Sequence, residues 1–243
     1  MTQKQAMLDT EQARAATEDG SILDLTISII NTNNRDMVMD CLGSVYGNTL
    51  RSRMEVFVVD NACSDGSAEA IIADFPQVKL IRNDQKLGFS TNNNMVFQQA
   101  KGRYLLMLND DTLVQPGALD NMVEFMNAHP EAGASGAKLL NPDGTNQPAF
   151  DDFPGLRDFI QPLWARLRPG RWDTVAPKKV SSVSGACMLV RRKAAFTAGL
   201  LDTAFDPLYV EEREWCYRIR QPVSYTHPPP PTIYHPHIPV VPG

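Results

Sequence analysis

Short, nearly continuous apolar runs alternate along this chain with longer stretches whose apolar positions recur every three or four residues. The runs at 25–30, 56–59, 78–81 and 104–108 predict strands. None of them alternates strictly between apolar and polar positions. Each is therefore expected to be covered on both faces, the condition of a mainly parallel sheet. Between them, 36–47, 67–75, 91–100 and 118–127 predict helices. The first opens after Asn33-Asn34-Arg35, carries Met37, Cys41, Leu42 and Val45 near helical spacing, and stops around Gly47-Asn48. Gly102 marks another stop, just before a strand. The first hundred residues thus read as consecutive β-α units.

Beyond Pro130 the order loosens. Residues 134–140 predict a strand, Pro142-Asp143-Gly144 a turn, and 147–179 an irregular stretch enclosing a short helix at 159–168 that bears Trp164. Strand character returns at 180–183 and 187–190, followed by helices at 192–198 and 212–220. No internal repeat is visible, which argues against a solenoid or propeller.

Composition narrows this picture. With 243 residues, 43% of them hydrophobic, the chain is large enough for one domain with a real core. A formal net charge of −5 supplies no basic field for a nucleic-acid backbone, so nucleic acid is not an expected partner. Cys41, Cys63, Cys187 and Cys216 are scattered without a C-x-x-C pair and read as small buried residues in a reducing compartment. The polar start lacks a signal-peptide core and no apolar run reaches membrane-spanning length. A cytoplasmic chain is expected, compatible with work at the inner face of a membrane through peripheral contact.

The 18 prolines are unevenly placed: eight fall in residues 222–243, a segment without any Lys, Arg, Asp or Glu. Three segments are expected on this basis: a flexible polar start at 1–22, a domain at 23–221, and a proline-rich tail at 222–243.

The chemistry gathers where apolar runs end. Residues 56–59 run into Asp60-Asn61, and residues 104–108 into Asn109-Asp110-Asp111. In an open α/β sheet, ligands bind outside the carboxyl ends of the strands, so both clusters point to one crevice. Adjacent Asp110 and Asp111 repel each other unless a cation or donors compensate, which suits Mg²⁺ or Mn²⁺. They suit equally a solvated turn or the cap of the helix after Pro116-Gly117. Asp65 or Ser67 is placed to cap the next helix, leaving Asp60 for a ligand. Neither G-x-x-x-x-G-K-[ST] nor G-x-G-x-x-G follows the first strand, which disfavours P-loop and dinucleotide enzymes.

Taken in order, Thr26 to Asn33, Val58 to Ser67, Leu87-Gly88-Phe89 with Asn93-Asn94, Leu108 to Thr112, Pro142 to Thr145, Ser184 to Arg192, Gly199 to Asp202 and Tyr209 to Arg218 resemble the signatures of family 2 glycosyltransferases. The nearest subgroup is the rhamnosyltransferase-like enzymes of bacterial surface polysaccharides. The resemblance implies the GT-A fold, a mainly parallel nucleotide-binding sheet flanked by helices, and an inverting transfer from a nucleotide-diphospho-sugar donor to a saccharide or lipid-linked acceptor. It assigns Asn31, Thr32, Asp60, Asn61, Gly88, Asn94, Asn109, Asp110 and Gly185 to the nucleotide-sugar. Asp111 becomes the metal ligand, for Mg²⁺ or Mn²⁺, although the family's D-x-D here begins with Asn109. Glu212 takes the place of the catalytic base, with Glu211 as the alternative. Three acids in Glu211-Glu212-Arg213-Glu214 also suit a plain helix start.

After Arg220 the likeness stops. The family continues with a strand and a histidine-bearing segment, whereas eight prolines, each lacking a ladder donor, predict no strand here. The carboxyl end is therefore expected to be truncated relative to the family, with a tail foreign to it; an alternative gives His235 or His237 to the metal.

Overall fold

The computed structural model describes residues 23–151, 177–207, 210–221, 232–235 and 239–242. The expected β-α alternation is present: β1 (Leu23–Asn31), α1 (Arg35–Asn48), β2 (Met54–Asp60), α2 (Ser67–Asp74), β3 (Lys79–Arg82), α3 (Phe89–Phe97), β4 (Gly102–Asn109), β5 (Thr112–Val114) and α4 (Ala118–Ala128). Then follow β6 (Ala132–Gly136), β7 (Lys138–Leu140), β8 (Asn146–Gln147), β9 (Phe150–Asp151), β10 (Lys178–Val180), β11 (Ser182–Val183), β12 (Cys187–Arg191) and α5 (Arg192–Ala198). A single 3₁₀ turn (Thr203–Phe205), α6 (Glu211–Arg220), β13 (Thr232–His235) and β14 (Pro239–Pro242) complete the described chain. The helix expected at 159–168 lies outside the described residues.

The main sheet runs β10-β13-β6-β12-β4-β1-β2-β3. Strands β3, β2, β1 and β4 are mutually parallel, and only β12 and β10 oppose the majority direction. The continuous apolar runs are explained by two cores, one on each face. Leu25, Ile27, Ile29, Val56, Val58, Leu106 and Leu108 meet α1 and α4 through Val38, Leu42, Val45, Leu119 and Met122. Phe57, Val59, Leu105, Met107, Met188 and Val190 meet α3, α5 and α6 through Phe97, Ala195, Trp215 and Ile219. The sheet is thus a middle layer between two helical ones.

Three departures from the expected elements have physical causes. The strand expected at 134–140 breaks at Ala137, whose N–H donates to the Cys187 carbonyl (3.2 Å), so β6 stays in the main sheet while β7 joins a smaller one of order β5-β14-β7-β8. The third helix begins at Phe89 rather than at 91, because its cap comes from a distant part of the chain. The expectation that the tail adds no strand is corrected. Thr232–His235 contains no proline and pairs with β6 and β10, while the prolines of β14 stand at its ends and leave Val240 and Val241 in the ladder.

Candidate functional site

Strand order reverses between β1 and β4, and a crevice at such a switch point is where open α/β sheets hold ligands. Asn31 ends β1, Asp60 ends β2 and Asn109 ends β4, paired in register as Asn31 with Asp60 and Ile30 with Asn109. The two clusters singled out in the sequence therefore share one edge.

Asn31 is fully buried. Its Nδ2 donates to Ser67 Oγ (2.8 Å) and its Oδ1 accepts from the Asn34 N–H (3.1 Å), so it organises the loop after β1. Thr32 is part-exposed, and its Oγ1 accepts from Asn61 Nδ2 (3.2 Å). Asn61 also pairs with both backbone groups of Leu87: Oδ1 accepts from its N–H (2.8 Å) and Nδ2 donates to its carbonyl (3.1 Å). Asp60 is buried, accepting from the Cys63 N–H (2.8 Å) and lying 3.3 Å from Arg82 Nε. Each carboxylate oxygen has a second lone pair, so a nucleobase donor can still be accommodated.

On the other side of the crevice, Asp110 is buried and Asp111 part-exposed. Asn34 Nδ2 donates to Asp110 Oδ2 (3.1 Å). Burial pushes the Asp110 carboxyl up, the like charge of Asp111 adds to this, and the Asn34 hydrogen bond opposes it. At neutral pH the ionised form thus opposes folding. Its removal in Asp110→Asn, which retains an acceptor for Asn34, is expected to raise the Tm of the metal-free protein by a few degrees. Calorimetric melting at pH 7 checks this, and the gain should shrink as pH falls toward the ordinary carboxylate range, where the wild-type group is protonated.

Strand β12 closes the site from the far side of β4. Cys187 pairs with Leu108, and the Asn109 N–H donates to the Ala186 carbonyl (3.0 Å), which sets Gly185 beside the Asp110-Asp111 turn. A side chain at Gly185 would meet Phe89 Cζ at 3.5 Å and Glu212 Cβ and Cγ at 3.8 Å. Glu212, from a helix more than a hundred residues after β4, is thereby brought against Gly185, on the segment that borders the acidic turn.

Helix α6 is tied to the 198–200 segment by side-chain hydrogen bonds. Arg218 grips Glu214 through Nε and Nη2 (2.6 and 2.8 Å) and donates to the carbonyls of Ala198, Gly199 and Leu200. Trp215 Nε1 donates to the Gly199 carbonyl (2.7 Å), and its ring stacks on Phe97. The helix starts after Val210, whose φ of 131° is strained for a β-branched residue. Glu211 is buried, and its Oε2 has no hydrogen-bond partner among the described residues. Burial pushes the Glu211 carboxyl up, with a smaller push from Asp206. Glu212 is part-exposed, and burial also pushes its carboxyl up, with the charge of Glu211 adding.

Two expected donor residues sit elsewhere in the arrangement. Asn94 gives both ends of its amide to Leu201, donating to the carbonyl (2.8 Å) and accepting from the N–H (3.1 Å), so it holds the 199–202 segment. Gly88 is the N-cap position of α3 with an ordinary φ of −74°. It is glycine because a Cβ would enter the van der Waals shell of Asp206. Asp206, Asn34 and Arg82 were not assigned to the site from the sequence, and Phe89 appeared there only within the Leu87-Gly88-Phe89 signature; the Asp206 contact spans more than a hundred residues and leaves no local signal.

Among the described residues no three His, Cys, Asp or Glu side chains gather to hold a metal ion. A cation at this turn would be held by one or two carboxylates together with oxygens from a ligand, the usual manner of Mg²⁺. The repelling Asp110-Asp111 pair is the donor set that such a cation would relieve.

The sequence model described as glycosyl transferase family 2 matches residues 26–196. Among characterised proteins, the N-acetylglucosaminyl-diphospho-decaprenol L-rhamnosyltransferase of Mycobacterium tuberculosis (strain H37Rv) is 26% identical over 183 residues, covering 65% of this chain and 58% of that protein. The O-antigen biosynthesis protein RfbC of Myxococcus xanthus is 31% identical over 179 residues, 70% of this chain but 14% of that protein. The chain thus spans little more than half of the first relative and a small part of the second. In fold it is similar to GalNAc-T7, solved with UDP, GalNAc and Mn²⁺ (TM-score 0.68, 19% identity, 93% of this chain and 44% of that one). It is also similar to the mannosyltransferase PcManGT of Pyrobaculum calidifontis, solved with GDP-Man and Mn²⁺ (TM-score 0.58, 18% identity, 94% and 63%).

Proposed function

The chain belongs to glycosyl transferase family 2, and from that premise we propose that it moves a sugar, rhamnose in the first instance, from a nucleotide-diphospho-sugar to an acceptor hydroxyl with inversion at the anomeric carbon. Cell-surface polysaccharide or glycolipid is the proposed product class, with a saccharide or lipid-linked acceptor, in keeping with the rhamnosyltransferase and O-antigen names of the relatives. The observation that carries the reading is the meeting of Glu212 with Gly185 beside the Asn109-Asp110-Asp111 turn.

In this reading Asn31 and Asn61 shape the nucleoside pocket between the ends of β1 and β2, Thr32 lines it, and Asp60 accepts from the base. Asn109, Asp110 and Gly185 border the sugar, and Gly88 leaves room for Asp206 at the head of the 87–91 loop. Asp111 holds Mg²⁺ or Mn²⁺ together with the diphosphate. When bound, the cation offsets the negative charge that develops on the leaving diphosphate. Glu212 takes the proton of the acceptor hydroxyl, whose pKa of about 15–16 makes it a poor nucleophile unaided, as the oxygen attacks the anomeric carbon opposite the leaving group. Glu212 is favoured over Glu211 because it is part-exposed against Gly185, whereas Glu211 is buried. Among the described residues no helix is long and apolar enough to cross a membrane; the membrane contact in this proposal is a peripheral one.

The raised carboxyl of Glu212 sets a pH signature. A base works only when ionised, so kcat is expected to fall as pH drops through a value above the ordinary range of a glutamate, and to level off on the alkaline side. A pH–rate profile of nucleotide release checks it; an acid limb at or below the ordinary carboxylate range would contradict the base assignment. The function itself is tested by incubating the chain with dTDP-rhamnose, UDP-sugars and GDP-mannose plus Mn²⁺ and following products by mass spectrometry. Consumption of one donor supports the proposal. Tight nucleotide binding without consumption of any donor favours a nucleotide-binding fragment instead, and neither favours an interaction domain of the same fold.

A further inference from the structure

Helix α3 is capped by a residue far from it in sequence. Gly88, its N-cap, offers no side chain, and the carboxylate of Asp206 takes the place of one. One oxygen accepts from the Ser90 N–H (2.8 Å), and the other accepts from the Thr91 N–H (3.0 Å) and Thr91 Oγ (2.6 Å). Three donors on one buried-side carboxylate make a strong, oriented contact, because charged acceptors at a helix N-terminus satisfy orphan N–H groups and the helix dipole together. Gly88 is the complement of this contact, since any side chain there would displace Asp206.

The contact joins the two halves of the site. On one side, Leu87 is held by Asn61 at the end of β2, and Phe89 lies against Gly185. On the other, Asp206 stands five residues before Glu211, at the entry to the helix that carries Glu212. A second tie, Asn94 to Leu201, fixes the same segment about one turn further along α3. Helix α6 itself grips residues 198–200 through Arg218 and Trp215.

We propose that Asp206 is a positioning residue for the transfer: by capping α3 across the chain, it sets the base helix in register with the donor-side loop at 87–91, so that Glu212 meets the acceptor oxygen at the correct distance. This rests on the transferase reading above. It places catalytic precision in a contact that touches neither donor nor acceptor, and it explains the glycine at 88 without appeal to backbone conformation.

The test compares Asp206→Ala, Asp206→Asn, Gly88→Ala and the Gly88→Ala/Asp206→Ala double variant in full chain. Calorimetry with dTDP and Mn²⁺ gives nucleotide affinity, and release of dTDP from dTDP-rhamnose, or from whichever donor the unmutated chain consumes, gives kcat. Asp206→Ala and Gly88→Ala are each expected to lower kcat by about 10- to 100-fold, the scale of a misplaced reacting group, with the dissociation constant for dTDP changed by less than about threefold. Asp206→Asn, which keeps one acceptor, should recover part of the rate. The double variant should be no worse than the poorer single one, because both remove the same contact. An unchanged kcat, a parallel loss of nucleotide affinity, or single effects that multiply in the double variant would overturn the proposal. Should Asp206→Ala fail to fold, Asp206→Asn carries the same readouts. If the unmutated chain neither binds nucleotide nor consumes a donor, the transferase reading fails on its own account. Amide exchange then decides the clamp: faster exchange in Asp206→Asn at both 89–91 and 211–220 upholds it, and unchanged exchange at either overturns it.

Discussion

Replacing Glu212 by glutamine is expected to lower kcat by about 10²- to 10⁴-fold, the usual contribution of a positioned general base, while nucleotide affinity stays within about twofold. Glutamine keeps the length and shape of the side chain, so its contacts with Gly185 are preserved. It replaces a basic carboxylate by an amide too weakly basic to accept the acceptor's proton. The loss corresponds to roughly 3–5 kcal/mol of barrier, and it should fall on kcat because the proton moves only as the transition state forms. Glu211→Gln separates the two candidates. Glu211 is buried with an unpartnered oxygen, so a neutral amide there is expected to leave kcat within about tenfold of wild type. Steady-state kinetics of nucleotide release on both variants decides between them; a deeper loss in Glu211→Gln than in Glu212→Gln would reverse the assignment.

The second large effect concerns the acidic turn. Asp111→Ala is expected to lower metal-dependent turnover by at least about 100-fold, since a bound cation supplies several kcal/mol of stabilisation to the leaving diphosphate. It should also abolish the gain in dTDP affinity that Mn²⁺ confers, leaving the metal-free affinity nearly unchanged. Mg²⁺ and Mn²⁺ are usually held by one or two carboxylates together with substrate phosphates, so at the proposed site cation and nucleotide are expected to bind together. Asp110→Asn provides the contrast: a more stable protein with a weakened site, because the repulsion with Asp111 that a cation relieves is already gone. Calorimetric titration of dTDP with and without Mn²⁺ checks both. Equal Mn²⁺ enhancement in Asp111→Ala and wild type would remove Asp111 from the metal site.

Much of the site's location was legible in the sequence, because it depends on local rules. Continuous apolar runs announce strands covered on both faces, and the residues that end them fall at the carboxyl edge of a parallel sheet. Asp60 and Asn109 follow directly. What could not be read is the partner of each polar side chain. Asn31 and Asn94, both expected at the donor, have amides that engage Ser67 and the Asn34 backbone in the one case and the backbone of Leu201 in the other. The cap of α3 lies 115 residues from the helix it starts, beyond any window of local propensity. The tail misled for a different reason: proline content averaged over 222–243 concealed the proline-free Thr232–His235 and the two valines of β14, and it is position within the strand that decides whether a missing N–H matters.

With Glu212 and the Asp110-Asp111 turn at one crevice, the proposed sugar transfer inverts the anomeric carbon. A proton NMR time course of the anomeric signal tests it most directly, with dTDP-rhamnose or the donor selected by the panel, an acceptor and Mn²⁺. The donor signal is expected to decay and a product of opposite anomeric configuration to be the first one formed, with neither change in the presence of EDTA. A donor signal that persists with every acceptor, or a first product of retained configuration, would contradict it.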